Sequence, residues 1–175
     1  IAQAVAAQGK PMVHYWMHNN MLTINGQKMG KSLGNFITLN QFFTGDHPAL
    51  KKAFGPMTIR FFILSAHYRG TVDFSNEALE ASEKGLERLL NGISDLARVK
   101  AEEKTDDETA RFIQALPQKC YDAMNDDMAT PQVISHLFEA CTVVNKLTDH
   151  KASATQQDID TLANTMRTFA FDILG

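Results

Sequence analysis

From Ser75 to the C-terminal glycine, apolar residues recur every three or four positions, a spacing that constrains this part of the chain to packed helices. Leu79, Ser82, Leu86, Leu89, Ile93 and Leu96 form the first stripe, and Ser75 is placed to cap it. The stripe lasts only about three heptads, which suits a bundle seam better than a free coiled coil. After a charged turn at 104–107, Phe112, Ile113 and Leu116 mark a second helix, with Pro117 as a candidate kink. The run Asp106-Asp107-Glu108 fits the start of that helix, where negative charge complements the dipole. Thr130-Pro131 reads as a cap followed by a first-turn proline, ahead of Ile134, Leu137, Phe138, Cys141 and Val144. Thr155 with Asp158 resembles a capping box before the last stripe, Ile159, Leu162, Met166, Phe169 and Ile173. Four such helices on short connections predict an antiparallel bundle over residues 73–175.

Residues 1–72 have a different texture. The Ala-rich stretch 1–8, with Gly9 placed as a C-terminal cap and Pro11 beyond it, reads as the last turns of a helix. The chain is therefore expected to be a piece of something longer. Val13, Tyr15 and Met17 alternate with His14 and Trp16 and predict a short strand, with Trp16 in a core. Residues 21–24 are a second β-prone run, closed by Asn25-Gly26, a strong hairpin signal. Beyond a loop bracketed by Gly30 and Gly34, helical patterning covers 39–43, and a longer helix is predicted from Met57 to Arg69 behind Pro56. The expected fold class is mainly α, with a short hairpin and a loop ahead of the bundle.

Several function classes fall away on composition. The longest apolar stretch, Phe61-Phe62-Ile63-Leu64, is far short of the ~18 residues of a membrane span. Cys120 and Cys141 are the only cysteines, so neither a disulfide framework nor a cysteine-based zinc site is available, and a cytoplasmic setting is expected. They are most simply buried small hydrophobes. The net charge of −3 conceals a division: residues 1–72 carry seven basic side chains against Asp46 alone, net +6, while the rest carries 10 basic and 19 acidic, net −9. An anionic ligand is thereby directed to the first part. Lys51, Lys52, Arg60 and Arg69 are candidates for RNA phosphates, with a plain solvated surface as the alternative.

The segment Asn25-Gly26-Gln27-Lys28-Met29-Gly30-Lys31-Ser32-Leu33-Gly34-Asn35 carries the chemistry. Lys28 and Lys31, three apart on a glycine-bracketed loop, put two ammonium groups near one place. Gly30 opens the backbone to a phosphate and Ser32 adds a hydroxyl donor. Such a loop neutralises charge developing on a departing polyphosphate, although a solvated hairpin tip would use the same residues. The Gly-x-x-x-x-Gly-Lys-Ser order of a Walker A loop is absent. His14 and His18 lack a third ligand at metal spacing.

Lys28-Met29-Gly30-Lys31-Ser32 resembles the Lys-Met-Ser-Lys-Ser signature of class I aminoacyl-tRNA synthetases. Tyr15-Trp16-Met17-His18, Leu33-Gly34-Asn35-Phe36, and Arg60-Phe61-Phe62 through Ser65-Ala66-His67-Tyr68-Arg69 look like cysteinyl-tRNA synthetase. Asp73-Phe74-Ser75 and Ala123-Met124-Asn125-Asp126-Asp127 to Thr130-Pro131 extend the likeness across nearly the whole chain. The resemblance implies that residues 1–72 are the end of a class I α/β catalytic region and 73–175 the helical bundle that leans on tRNA. It implies an enzyme that activates cysteine with ATP and attaches it to tRNA(Cys). ATP contact is assigned to Lys31, assisted by Lys28, with Met29, Gly30, Ser32 and His18 completing the nucleotide side. Zinc is implied for the whole enzyme, with its ligands before Ile1, and this chain alone is expected to be inactive. Gly30 stands where the family has serine and should loosen the loop, and Asn20 stands where glycine is common. Two alternatives remain: a non-catalytic helical module binding RNA or protein, and a related ligase joining cysteine to an amino-sugar.

Overall fold

The computed structural model describes residues 2–175; Ile1, part of the expected helical end, lies outside them. Helix α1 (Ala2–Gln8) closes as predicted, the Gly9 N–H returning to the Val5 carbonyl at 2.8 Å. No strand follows over 13–17. Alternation alone makes no strand without a ladder partner, and the first backbone bond from this stretch to a distant residue is Asn20 N–H to Tyr68 O. Trp16 is accordingly exposed, not core, with its ring stacked toward His18 at 6.2 Å between centroids.

Strands β1 (Leu22–Ile24) and β2 (Gln27–Lys28) form the predicted hairpin, pairing Thr23 with Lys28 and Ile24 with Gln27. Asn25 and Gly26 take φ of 50° and 76°, the two positive values a type I′ turn demands. Strand β3 (Val72–Phe74), unmarked in the sequence, lies parallel to β1, giving the order β2-β1-β3. It spans the junction between residues 72 and 73. Helix α2 (Leu39–Thr44) carries a full capping box between Thr38 and Gln41. Helix α3 (Pro56–Leu64) stops five residues before the predicted Arg69, where Ser65 turns its hydroxyl back to the Phe61 carbonyl at 2.7 Å.

Helices α4 (Asn76–Asp95), α5 (Asp107–Asn125), α6 (Thr130–Thr148) and α7 (Gln156–Arg167) form the bundle, and Phe169 and Leu174 beyond α7 still reach its core. Ser75 caps α4 and Asp106 caps α5, each accepting the N–H three residues on. Two expected caps differ. Thr130 sits inside α6 and donates its hydroxyl to the Leu64 carbonyl at 2.7 Å, so it ties the bundle to α3. Thr155 accepts from the Asp158 N–H, but its own N–H bonds the Thr105 hydroxyl at 2.9 Å, so the box is shared across two segments.

Two cores result. Ile24, Ile37, Phe42, Ile59, Phe74 and Leu79 make one under the sheet, while Leu89, Ile113, Leu137 and Leu162 belong to the bundle. Helix α3 serves both, sending Ile59 into the first and Phe61 into the second, where Phe61 meets Phe138 edge-on at 6.3 Å. Both cysteines are buried, on α5 and α6, and burial pushes the Cys120 thiol up to about 11.

Candidate functional site

The hairpin positions the lysine segment. Lys28 ends β2 and is exposed; Met29 turns inward against the sheet core and anchors the strand's exit. Residues Lys31–Leu33 form one 3-10 turn, ended by Gly34, whose N–H bonds the Lys31 carbonyl at 3.2 Å. The side chain of Asn35 closes the loop on itself. Its Oδ1 accepts the Gly30 N–H at 2.9 Å and its Nδ2 donates to the Lys28 carbonyl at 3.1 Å. Gly30 therefore does not present a free N–H, contrary to the expectation that it opens the backbone to a phosphate, and its φ of −163° is extended backbone. Sequence reasoning missed Asn35 as a tie; the signal was an amide side chain at the exit of a glycine-bracketed loop.

A carboxylate fixes the other end of the hairpin. Asp73 on β3 accepts the Thr23 hydroxyl at 2.5 Å and the Gly26 N–H at 2.8 Å, so the turn is clamped to the parallel strand. This role was not legible, because β3 itself was not.

The two lysines differ from their neighbours in what they touch. Lys51 pairs with Glu77 at 2.7 Å, Lys52 pairs with Glu83, and Arg69 is engaged by Asp127. Arg60 donates its Nε to the Leu174 carbonyl at 2.9 Å, beside the chain's last residue. Three of these four thus have a surface carboxylate partner and Arg60 a carbonyl. Among the described residues, neither Lys28 nor Lys31 has a carboxylate partner. The Lys31 ammonium instead rests 5.5 Å from the centre of the Phe36 ring, a contact worth about 0.5–1 kcal/mol at an exposed position. That is weak enough for a phosphate to displace. Ser32 is exposed on the same turn. His18 is also exposed, and among the described residues no hydrogen bond, ion pair or ring contact joins it to the lysine loop.

Among the described residues no three His, Cys, Asp or Glu side chains stand together as a metal cage, so the chain's own donors do not fit zinc. No helix is long and apolar enough to cross a membrane.

Known proteins match the chain along its whole length. Residues 1–84, which hold the hairpin, lysine loop, α3 and β3, match the family of tRNA synthetases class I (C) catalytic domains. Residues 119–175, from the end of α5 to the C-terminus, match the DALR domain. All 175 residues are 61% identical to a cysteine–tRNA ligase of Porphyromonas gingivalis and 59% identical to one of Parabacteroides distasonis. The chain belongs to the cysteine–tRNA ligase family. A cysteine–tRNA ligase of Chlorobaculum tepidum is 46% identical over 149 residues, 85% of this chain and 28% of that protein. The chain spans 35% of the length of the Porphyromonas and Parabacteroides relatives. Within the family frame, the lysine loop and the bundle are parts of a mainly helical architecture with a small three-stranded sheet.

Proposed function

We propose that this chain supplies the phosphate-handling loop and the tRNA-facing bundle of an enzyme that joins cysteine to tRNA(Cys). In the first step a cysteine carboxylate oxygen attacks the α-phosphate of ATP, and the bond to pyrophosphate breaks. Lys31, assisted by Lys28, neutralises the charge gathering on the departing pyrophosphate. In the second step a ribose hydroxyl of the terminal adenosine of tRNA attacks the cysteinyl carbonyl, and AMP leaves. No protein nucleophile is required, so the chain's contribution is positioning and charge.

The observation that carries this reading is the lysine loop itself: Lys28 and Lys31 stand three apart on a hairpin exit closed by Asn35, and among the described residues the Lys31 ammonium has only the Phe36 ring as its neighbour. A preorganised loop leaves less to organise when charge develops. Met29 serves as the anchor, and Gly30 keeps the loop's backbone close to Asn35. His18 is assigned to the adenosine side on the resemblance of its Tyr-Trp-Met-His segment. Zinc belongs to residues other than these, and no step above runs through it. Two buried thiols without disulfide chemistry suit the cytoplasm.

A chimera tests the assignment. Replacing the matching segment of the Porphyromonas gingivalis ligase with these 175 residues should preserve cysteine-dependent ATP–pyrophosphate exchange and tRNA charging. The isolated chain should show neither. A folded chimera without exchange would count against the assignment.

A further inference from the structure

The turn between α5 and α6 contains a left-handed pair, Asp127 and Met128, each with φ of 53°. L-residues with a Cβ adopt this conformation at a cost, which local contacts must offset. Here the offset is a cluster of bonds to the loop after α3. The Asp127 carboxylate accepts the Tyr68 hydroxyl at 2.6 Å, Arg69 Nε at 2.5 Å and Arg69 Nη2 at 3.1 Å. The Asp127 carbonyl lies 3.1 Å from His67 Nε2. The guanidinium of Arg69 also lies over the Tyr68 ring at 5.1 Å, which fixes the fork in place.

The bonds continue toward the lysine loop. Asn20 donates its N–H to the Tyr68 carbonyl at 3.0 Å and its Nδ2 to the Arg69 carbonyl at 2.8 Å. Val72 N–H bonds the neighbouring Met21 carbonyl at 3.2 Å, and Met29 N–H bonds the Leu22 carbonyl at 3.3 Å. Met29 lies between Lys28 and Gly30. A cavity of about 210 Å³ lies beside these bonds, lined in part by Met17, Asn20, Leu22, Ile63, Tyr68 and Met128. Polar bonds around the cavity hold the two sides in register.

We propose that Asp127 is a positioning residue, which through Tyr68, Arg69 and Asn20 transmits the placement of the α5–α6 turn to the lysine hairpin. Helix α3 docks the sheet onto the bundle independently, through Phe61 and Thr130, so the relay sets the hairpin's orientation and not the integrity of the fold. An RNA seated on the bundle would then meet Lys28 and Lys31 at a fixed offset; that consequence rests on the function proposed above, while the mechanical link does not.

The test uses the 175-residue chain and no nucleotide, so its failure is separate from any failure of the ATP assignment. Asp127→Asn keeps the size and tolerates the left-handed backbone while removing the charge. Backbone amide hydrogen exchange should accelerate at least about tenfold at Asn20 and Met29, with Ile113, Leu137 and Leu162 unchanged. Asn20→Ala should accelerate Met29 alone, leaving Tyr68 and Arg69 as in the parent chain. Arg69→Lys, lacking the planar fork, should fall between the parent and Asp127→Asn. Acceleration confined to residues 67–70 and 127–130 would overturn the relay. A uniform rise that includes the bundle core would make Asp127 a general stabiliser and overturn it equally.

Discussion

Asn35→Ala removes both bonds that close the lysine loop and touches neither lysine. The Gly30 N–H loses its acceptor at 2.9 Å and the Lys28 carbonyl its donor at 3.1 Å. A neutral intramolecular hydrogen bond nets about 0.5–1.5 kcal/mol, and Asn35 and Gly30 are only half-buried, so water replaces part of each. Two bonds at the lower end of that range sum to about 1–2 kcal/mol, which lowers the loop's closed-to-open ratio roughly 5- to 30-fold. Amide exchange at Gly30 should accelerate by that factor, while exchange in the bundle core stays unchanged. Asn35→Asp keeps the Oδ1 acceptor and loses the donor, so it should retain much of the Gly30 protection. In the chimeric ligase the same Asp places a negative charge beside the phosphate path and should slow adenylate formation more than Ala does. Unchanged Gly30 exchange in Asn35→Ala would refute the idea that this side chain closes the loop.

Two further outcomes follow from the packing and the charges. A Cβ at Gly92 would lie 2.5 Å from Cys141 Sγ and 3.0 Å from its Cβ, so overpacking should exceed the ~1 kcal/mol helix-propensity gain. Gly92→Ala should destabilise by about 1–2 kcal/mol in urea unfolding, and Cys141→Ala in the same chain should recover part of it; no change would show that α4 and α6 are not so close. The Asp127 carboxyl is held down to about 2 by hydrogen bonds from Arg69 and Tyr68, with the Arg69 charge and His67 adding to the effect. A depressed folded-state value stabilises fully above the unfolded value of about 3.9, and that contribution is lost as pH falls through about 2. The stability difference between the parent chain and Asp127→Asn should shrink as pH falls below about 4, and a difference that grows below that pH would contradict the assignment.

The helical half was readable because its information is local and periodic. Leu89, Ile93, Leu137 and Leu162 sit in the core where spacing put them, and the Ser75 cap and the acidic start of α5 need only the next turn. The hairpin was readable for a similar reason: Asn25-Gly26 specifies its own turn. What stayed hidden depends on partners far along the chain. β3 is three residues whose strand character comes from β1, some fifty positions earlier, and residues 13–17 alternate correctly but find no neighbour. The same holds at the site. Two lysines three apart are a local pattern, whereas the pairing of Lys51, Lys52 and Arg69 with Glu77, Glu83 and Asp127 exists only in three dimensions. Thr130, read as a cap, is recruited by the Leu64 carbonyl 66 residues away.

The most direct test of the phosphate role is single-turnover adenylate formation by the chimeric ligase with Lys31→Ala. If the Lys31 ammonium leaves the Phe36 ring to meet pyrophosphate as it departs, its contribution grows between ground and transition state. The rate should then fall roughly a hundredfold or more, with cysteine affinity unchanged and Lys28→Ala less affected. An unchanged rate for Lys31→Ala would contradict the account and return the loop to a solvated hairpin tip.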